Sequence, residues 1–131
     1  HGVVKYEDGI NIMKKSDFII GMYYKQASNH VYAAPNKFFE SLYLARPLIT
    51  TKGTLVGEKT NLHETGYAIE EGYDEITNFF TGFIKNKDKS LLSYNRKTEN
   101  AANLWNSEYA NYFEKRLVQD YINIILSLND K

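Results

Sequence analysis

Between Phe38 and Ala45 the apolar residues fall at helical spacing. Phe38, Leu42 and Ala45 lie at i, i+4 and i+7, and Phe39 with Tyr43 widens that face. Pro35 suits the first turn of this helix, because its fixed φ is already helical and its missing N–H would be unbonded there. Arg46-Pro47 closes the helix, since the residue before a proline is pushed out of the α region. Leu48-Ile49-Thr50-Thr51 then reads as a strand of apolar and β-branched residues. The pattern along Ala33–Thr50 therefore predicts a loop, a short helix and a buried strand. Ile10, Ile12 and Met13 predict a short helix over Asp8–Lys15. Lys25–Ala34 is a polar loop, placed at the carboxyl end of a strand, where open α/β sheets bind ligands. Lys52-Gly53-Thr54 reads as a turn and Leu55–Glu64 as a short helix. Ile76, Phe79, Phe80, Phe83 and Ile84 predict a helix over Tyr73–Lys85. Ser90–Leu128 is helical in pattern almost throughout, with a break near Leu104–Ser107. No repeat or low-complexity linker interrupts this order.

At 131 residues the chain is one domain by size. Lysine plus arginine and aspartate plus glutamate each total 16, so no basic footprint argues for nucleic acid. There is no cysteine, which excludes disulfides, thiolate metal sites and a cysteine nucleophile, and fits a reducing compartment. The longest apolar runs, Phe18–Tyr24 and Ile122–Leu128, fall well short of the roughly 18–20 residues of a membrane span. No signal peptide opens the chain, which reads as a cytoplasmic, soluble domain.

Lys37 is out of place for a simple amphipathic helix. A cation in the first turn opposes the helix macrodipole, at about 0.3–1 kcal/mol when exposed. An anion held by the free N–H groups of that turn would remove the conflict, with Lys37 as a second ligand. Glu40, one turn further on the same flank, is a carboxylate able to accept two hydrogen bonds from the cis-diol of a ribose. The same two residues at i, i+3 could instead form an ordinary surface ion pair. Spacing alone leaves both readings open. The 11 tyrosines invite a base-stacking role for Tyr6, Tyr23, Tyr24 or Tyr32, but most read as half-buried residues with a wet hydroxyl. His1, His30 and His63 lack metal-ligand spacing, and no Asp-x-Asp is present to hold Mg²⁺ across a diphosphate.

Ala33-Ala34-Pro35-Asn36-Lys37-Phe38-Phe39-Glu40, followed by Ala45-Arg46-Pro47-Leu48-Ile49, resembles the donor-binding motif of the retaining GT-B glycosyltransferases. That family includes sucrose synthase and many enzymes of bacterial lipopolysaccharide and capsule synthesis. Gly2-Val3-Val4-Lys5-Tyr6 resembles the strand before its nucleobase loop. Ser16–Gly21 resembles its alanine-aspartate strand, and Gly66–Ile69 its last strand. The similarity covers about residues 2–85 and implies a Rossmann-like parallel sheet with flanking helices, part of the C-terminal domain of a GT-B fold. In the common 3-2-1-4-5-6 order, Gly2–Tyr6 would be strand three. Asp17–Tyr23, Leu48–Thr51 and Tyr67–Glu70 would be strands four to six.

The resemblance implies transfer of a sugar, with retention, from a nucleoside diphosphate donor to an acceptor hydroxyl. Lys37 would stabilise the departing diphosphate, Glu40 would anchor the ribose, and Asn36 would share the donor motif. Tyr6 would end the strand leading to the nucleobase loop, and His30 would lie in the donor loop. The family's usual two glutamates, separated by seven residues, would put the first at position 32, where Tyr32 stands. Sugar recognition would then fall to neighbours such as Asn29 and His30. GT-B enzymes generally work without a metal, so no cofactor is expected beyond the nucleotide-sugar substrate. A glycan or lipid-linked acceptor would bind mainly through an N-terminal domain not seen in this chain, and the full-length protein would lie peripherally at the inner face of the membrane. The chain starts at His1, as an excised fragment would, and on this reading is inactive alone. Its unmatched first strand would either move beside Asp17–Tyr23 or drive homodimerisation. The rival reading is a non-catalytic α/β nucleotide- or protein-binding module. A lone NAD-binding domain is disfavoured by the lack of Gly-x-Gly-x-x-Gly after a strand.

Overall fold

The computed structural model describes residues 3–26, 28–33, 36–112, 115 and 117–129. In chain order the elements are α1 (Tyr6–Lys14), β1 (Ile19–Gly21), α2 (Ser28–Tyr32), α3 (Asn36–Tyr43), β2 (Leu48–Thr51), α4 (Leu55–Leu62), β3 (Gly66–Ile69), α5 (Tyr73–Lys85), α6 (Lys87–Leu104), a π-helical segment (Trp105–Tyr109) and α7 (Leu117–Asn129). The three strands form one parallel sheet in the order β1-β2-β3, with Ile19 opposite Leu48 and Leu48 opposite Gly66. Parallel neighbours need crossovers, and α3 and α4 supply them, each packing against the strands it joins. The chain is thus mixed α/β, with a Rossmann-like open sheet flanked by helices.

The central strand β2 is buried along its whole length, as a strand covered on both faces must be. Ile19, Phe38, Leu42, Leu48, Val56 and Ala101 form one core cluster, with Met13, Phe39, Leu104 and Trp105 packed against it. Successive side chains on an extended segment point to opposite faces. While Ile19 enters this core, Phe18 meets the rings of Tyr67, Phe79, Phe80, Phe83 and Tyr94, at centroid distances from 5.3 Å (Tyr94) to 6.2 Å (Tyr67). One aromatic residue therefore ties β3, α5 and α6 together.

α4 is started by Thr54, whose hydroxyl accepts from the Gly57 N–H at 3.1 Å and donates to the Thr51 carbonyl at 2.7 Å. Gly57 is required there. A Cβ at this position would collide with the Thr51 carbonyl oxygen, so any side chain would push α4 off the end of β2.

Two expectations fail at the start of the chain. The strand over Gly2–Tyr6 does not form: Gly2 lies outside the described residues, Val3–Lys5 is irregular, and Tyr6 opens α1. The helical period wins, because Tyr6, Ile10 and Met13 share one face at i, i+4, i+7, and Glu7 and Asp8 suit the positive end of the helix. Among the described residues no strand has moved beside β1, which remains an edge strand of three residues. The expected polar loop over Lys25–Ala34 instead carries the short helix α2, since Ser28–Tyr32 holds no glycine or proline to break a helical turn; the remaining elements lie close to expectation. The long terminal helix breaks at the π segment, near the expected Leu104–Ser107, and β1 is shorter than Asp17–Tyr23. Pro35 lies outside the described residues. Among those described, no helix is long and apolar enough to cross a membrane.

Candidate functional site

The carboxyl edge of the sheet is built by three fixed points. The Thr50 hydroxyl donates to the Gly21 carbonyl at 2.8 Å, and the Tyr23 N–H donates to the Thr51 hydroxyl at 2.8 Å. Both threonines are fully buried, so the chain leaving β1 is held to β2 by side chains where the ladder ends. Gly21 lets α3 come close. A Cβ on it would stand 3.3 Å from the Lys37 Cβ and 3.1 Å from the Tyr23 hydroxyl. The stem of Lys37 and the phenol of Tyr23 thus meet over the last residue of β1.

Lys37 donates to Glu40 Oε2 at 2.7 Å and lies 3.6 Å from the Met13 sulfur of α1. The pair is lopsided: the Glu40 side chain is only 8% exposed and that of Lys37 43%. The surface ion pair allowed by spacing would have two exposed partners. Here a buried carboxylate is reached by a half-exposed cation. Phe38 and Leu42, on either side of Glu40 in sequence, are sunk in the core, which draws this turn of α3 down onto the sheet. Burial, and then the neighbouring charge of Glu40, raises the Tyr23 phenol above its ordinary pKa.

Glu40 opens onto a cleft of about 610 Å³ lined by Tyr6 and Ile10 of α1, Asn36, Phe39 and Tyr43 of α3, and Trp105 of the π segment. Tyr43 and Trp105 meet edge to face at 5.3 Å. The cleft is an aromatic slot with a carboxylate and a carboxamide at one side, a combination suited to a flat or ring-shaped polar ligand.

Of the residues singled out from sequence, Tyr6, Asn36 and Glu40 come together around this cleft, and Lys37 joins them through its ion pair. Tyr6 arrives from a helix, not from the end of a strand, and is largely exposed. His30 sits on α2 with its ring edge-on to Tyr23 at 6.1 Å. Its Nδ1 is buried without a hydrogen-bond partner among the described residues. Asn29 is exposed on the same helix and does not line the cleft, and Tyr32 is 78% exposed. Sequence reasoning raised Tyr23 only as one of four tyrosines for base stacking and set it aside, and it missed Tyr43 and Trp105. Gly21, a glycine closing an apolar strand, was the one available signal that something packs closely there.

A second polar cluster joins the loops after β1 and β3. Lys25 Nζ bonds Glu70 Oε2 at 2.9 Å, the Lys25 N–H donates to Glu71 Oε2 at 3.1 Å, and Lys52 lies 3.4 Å from Glu70. The hydrogen bond to Glu70 raises the Lys25 pKa, and the bonds from Lys25 and Lys52 lower that of Glu70. Among the described residues no three histidine, aspartate or glutamate side chains converge as a metal-ligand set.

Set against models of known protein families, against curated proteins and against solved structures, the chain matches none.

Proposed function

We propose that the chain is the donor-binding part of a retaining GT-B glycosyltransferase, holding a nucleoside diphosphate sugar for transfer to an acceptor hydroxyl. One observation carries this reading: a nearly buried glutamate, one turn into a helix at the carboxyl edge of a parallel sheet, lines a cleft and is bonded to a half-exposed lysine of the first turn. Burying a carboxylate is costly, and a single exposed lysine offsets that cost incompletely. A ribose diol in the cleft would give Glu40 two further hydrogen bonds. A diphosphate beside α3 would meet Lys37 and the free N–H groups of the first turn. As the glycosidic bond breaks, negative charge grows on the leaving diphosphate, and these preorganised positive groups stabilise it in the transition state. Glu40 positions the donor, Asn36 and Tyr6 border it, and no residue here serves as the nucleophile.

The test is titration of the chain with UDP, GDP, ADP and the matching nucleosides while amide shifts are followed. Lys37→Ala should weaken diphosphate binding far more than nucleoside binding, because a charge-assisted phosphate contact is worth about 1.5–3 kcal/mol. Glu40→Gln should weaken both, since both carry the ribose. Diphosphate binding unaltered by Lys37→Ala would leave the Lys37–Glu40 pair as a purely structural bond and refute the donor-site reading. Donor turnover by the full-length parent separates an enzyme from a non-catalytic binding module.

A further inference from the structure

The family resemblance assigns the donor sugar to a glutamate that this chain lacks, and Tyr32 in its place points into solvent at 78% exposure. A different recess shares Tyr23 with the surroundings of Lys37. It is a cavity of about 260 Å³ between the segment that leaves β1 and the one that leaves β3, lined by Met22, Tyr23, Tyr24, Glu71, Tyr73 and Ile76. Tyr23 is the shared wall: its ring borders this cavity, while its hydroxyl and the Lys37 stem converge over Gly21. Tyr23 thus links the Lys37–Glu40 pair to this cavity at the carboxyl edge of the sheet.

The geometry points to this cavity as the subsite for the sugar ring of the donor, an inference that rests on the proposed function. Its size suits one ring. At less than half the volume of the aromatic cleft of about 610 Å³, it suits a single ring rather than a whole nucleoside. Its chemistry suits a sugar as well. Tyr24 and Tyr73, both lining residues, are 72% and 83% exposed, so their rings are accessible to the C–H face of a pyranose. Glu71, one of the lining residues, supplies an acceptor: its Oε2 accepts from the Lys25 N–H at 3.1 Å, and a carboxylate has further lone pairs for hydroxyl donors. Gly72, at φ 130° with open space where a Cβ would stand, lets the backbone turn at the rim without narrowing the opening.

The experiment compares amide shifts of the chain on adding UDP or GDP with those on adding UDP-glucose, UDP-galactose, UDP-N-acetylglucosamine or GDP-mannose. The expected result is that at least one sugar nucleotide moves the amides of Met22–Tyr24, Gly72 and Tyr73, which the free diphosphates leave in place. Ile76→Phe, which fills the cavity from α5, should remove those extra shifts and weaken that sugar nucleotide about tenfold, with UDP and GDP affinity unchanged within twofold. Glu71→Gln should weaken it less, in the same selective manner. Diphosphates that bind normally while every sugar nucleotide gives the same shifts as its diphosphate would overturn the subsite alone. So would an Ile76→Phe variant that weakens both ligand classes equally. Failure of UDP and GDP to bind at all would overturn the donor-site reading and the subsite with it.

Discussion

Lys37→Met should destabilise the ligand-free chain more than Glu40→Gln, and the asymmetry follows from exposure. Methionine keeps most of the lysine stem over Gly21 and removes the charge, stranding a carboxylate that is 8% exposed. Losing the partner of a fully buried charge costs about 3–5 kcal/mol. Lys37 is 43% exposed, so water reaches the pair and screens it. A charge-assisted hydrogen bond of about 1.5–3 kcal/mol is the better starting figure. Removing a cation from the first helical turn returns about 0.3–1 kcal/mol, so the net loss should be about 1–2 kcal/mol. Glu40→Gln leaves an acceptor in the same place and a lysine free to turn into solvent, so its loss should stay under about 1 kcal/mol. Urea unfolding reads both. With a slope on the order of 1–3 kcal/mol per molar, Lys37→Met should lower the midpoint by roughly 0.5–1 M without changing the slope. A Glu40→Gln variant as unstable as Lys37→Met, or more so, would refute the argument that the carboxylate is the trapped member of the pair.

Three further outcomes are expected. Thr54→Ala should cost about 1–2 kcal/mol in urea unfolding, because it removes the cap of α4 and leaves the Gly57 N–H and the Thr51 carbonyl unpaired; a loss below about 0.3 kcal/mol would show that the cap is dispensable. Leu42→Ala, at a fully buried position of the core cluster, should cost about 2–5 kcal/mol and abolish any nucleotide-induced shifts by loosening α3. The contact between the loops after β1 and β3 should fail at both ends of the pH scale: the lowered Glu70 pKa favours the fold above the ordinary carboxylate value and that gain is lost as pH falls through the native pKa, whereas the raised Lys25 pKa favours it below the ordinary lysine value and is lost as pH rises through its own. The carboxyl carbon shift of Glu70 should therefore be flat above about pH 5 and move only below about pH 4; a midpoint at or above the ordinary carboxylate value would mean that the contact does not form in solution.

The parts of the fold carried by short-range pattern were legible. Leu48–Thr51 and Tyr73–Lys85 have the bounds read from β-branched content and from helical spacing, because nothing distant competes for them. The first strand was misread because it rested on a resemblance, and its two adjacent valines are a weak β signal of their own. They have no sheet partner, while Tyr6, Ile10 and Met13 have a helical face to bury. The candidate site was legible only where it is local. Asn36, Lys37 and Glu40 lie within one turn and a half of α3, so helical spacing put Lys37 beside Glu40 and the resemblance added Asn36. Trp105 enters the same cleft from more than sixty residues away, and no pattern within α6 announces it. Tyr23 was raised with three other tyrosines and set aside, because among 11 tyrosines it carries no mark beyond the glycine two residues before it.

The π segment fixes more than a local irregularity. In an α-helix each residue advances the direction of its side chain by about 100°, and in Trp105–Tyr109 the wider winding, with the Ala110 N–H bonded to the Trp105 carbonyl, interrupts that count. Trp105 reaches Tyr43 and Tyr109 reaches Phe39, each pair at 5.3 Å. Removing a single residue between them would let ordinary α-winding resume, but at a different rotational phase. Either one aromatic would swing away from α3, or everything after Tyr109 would rotate about the helix axis. The wall of the cleft and the heading of the chain beyond it are therefore set by one angular offset, and neither can be retuned without the other.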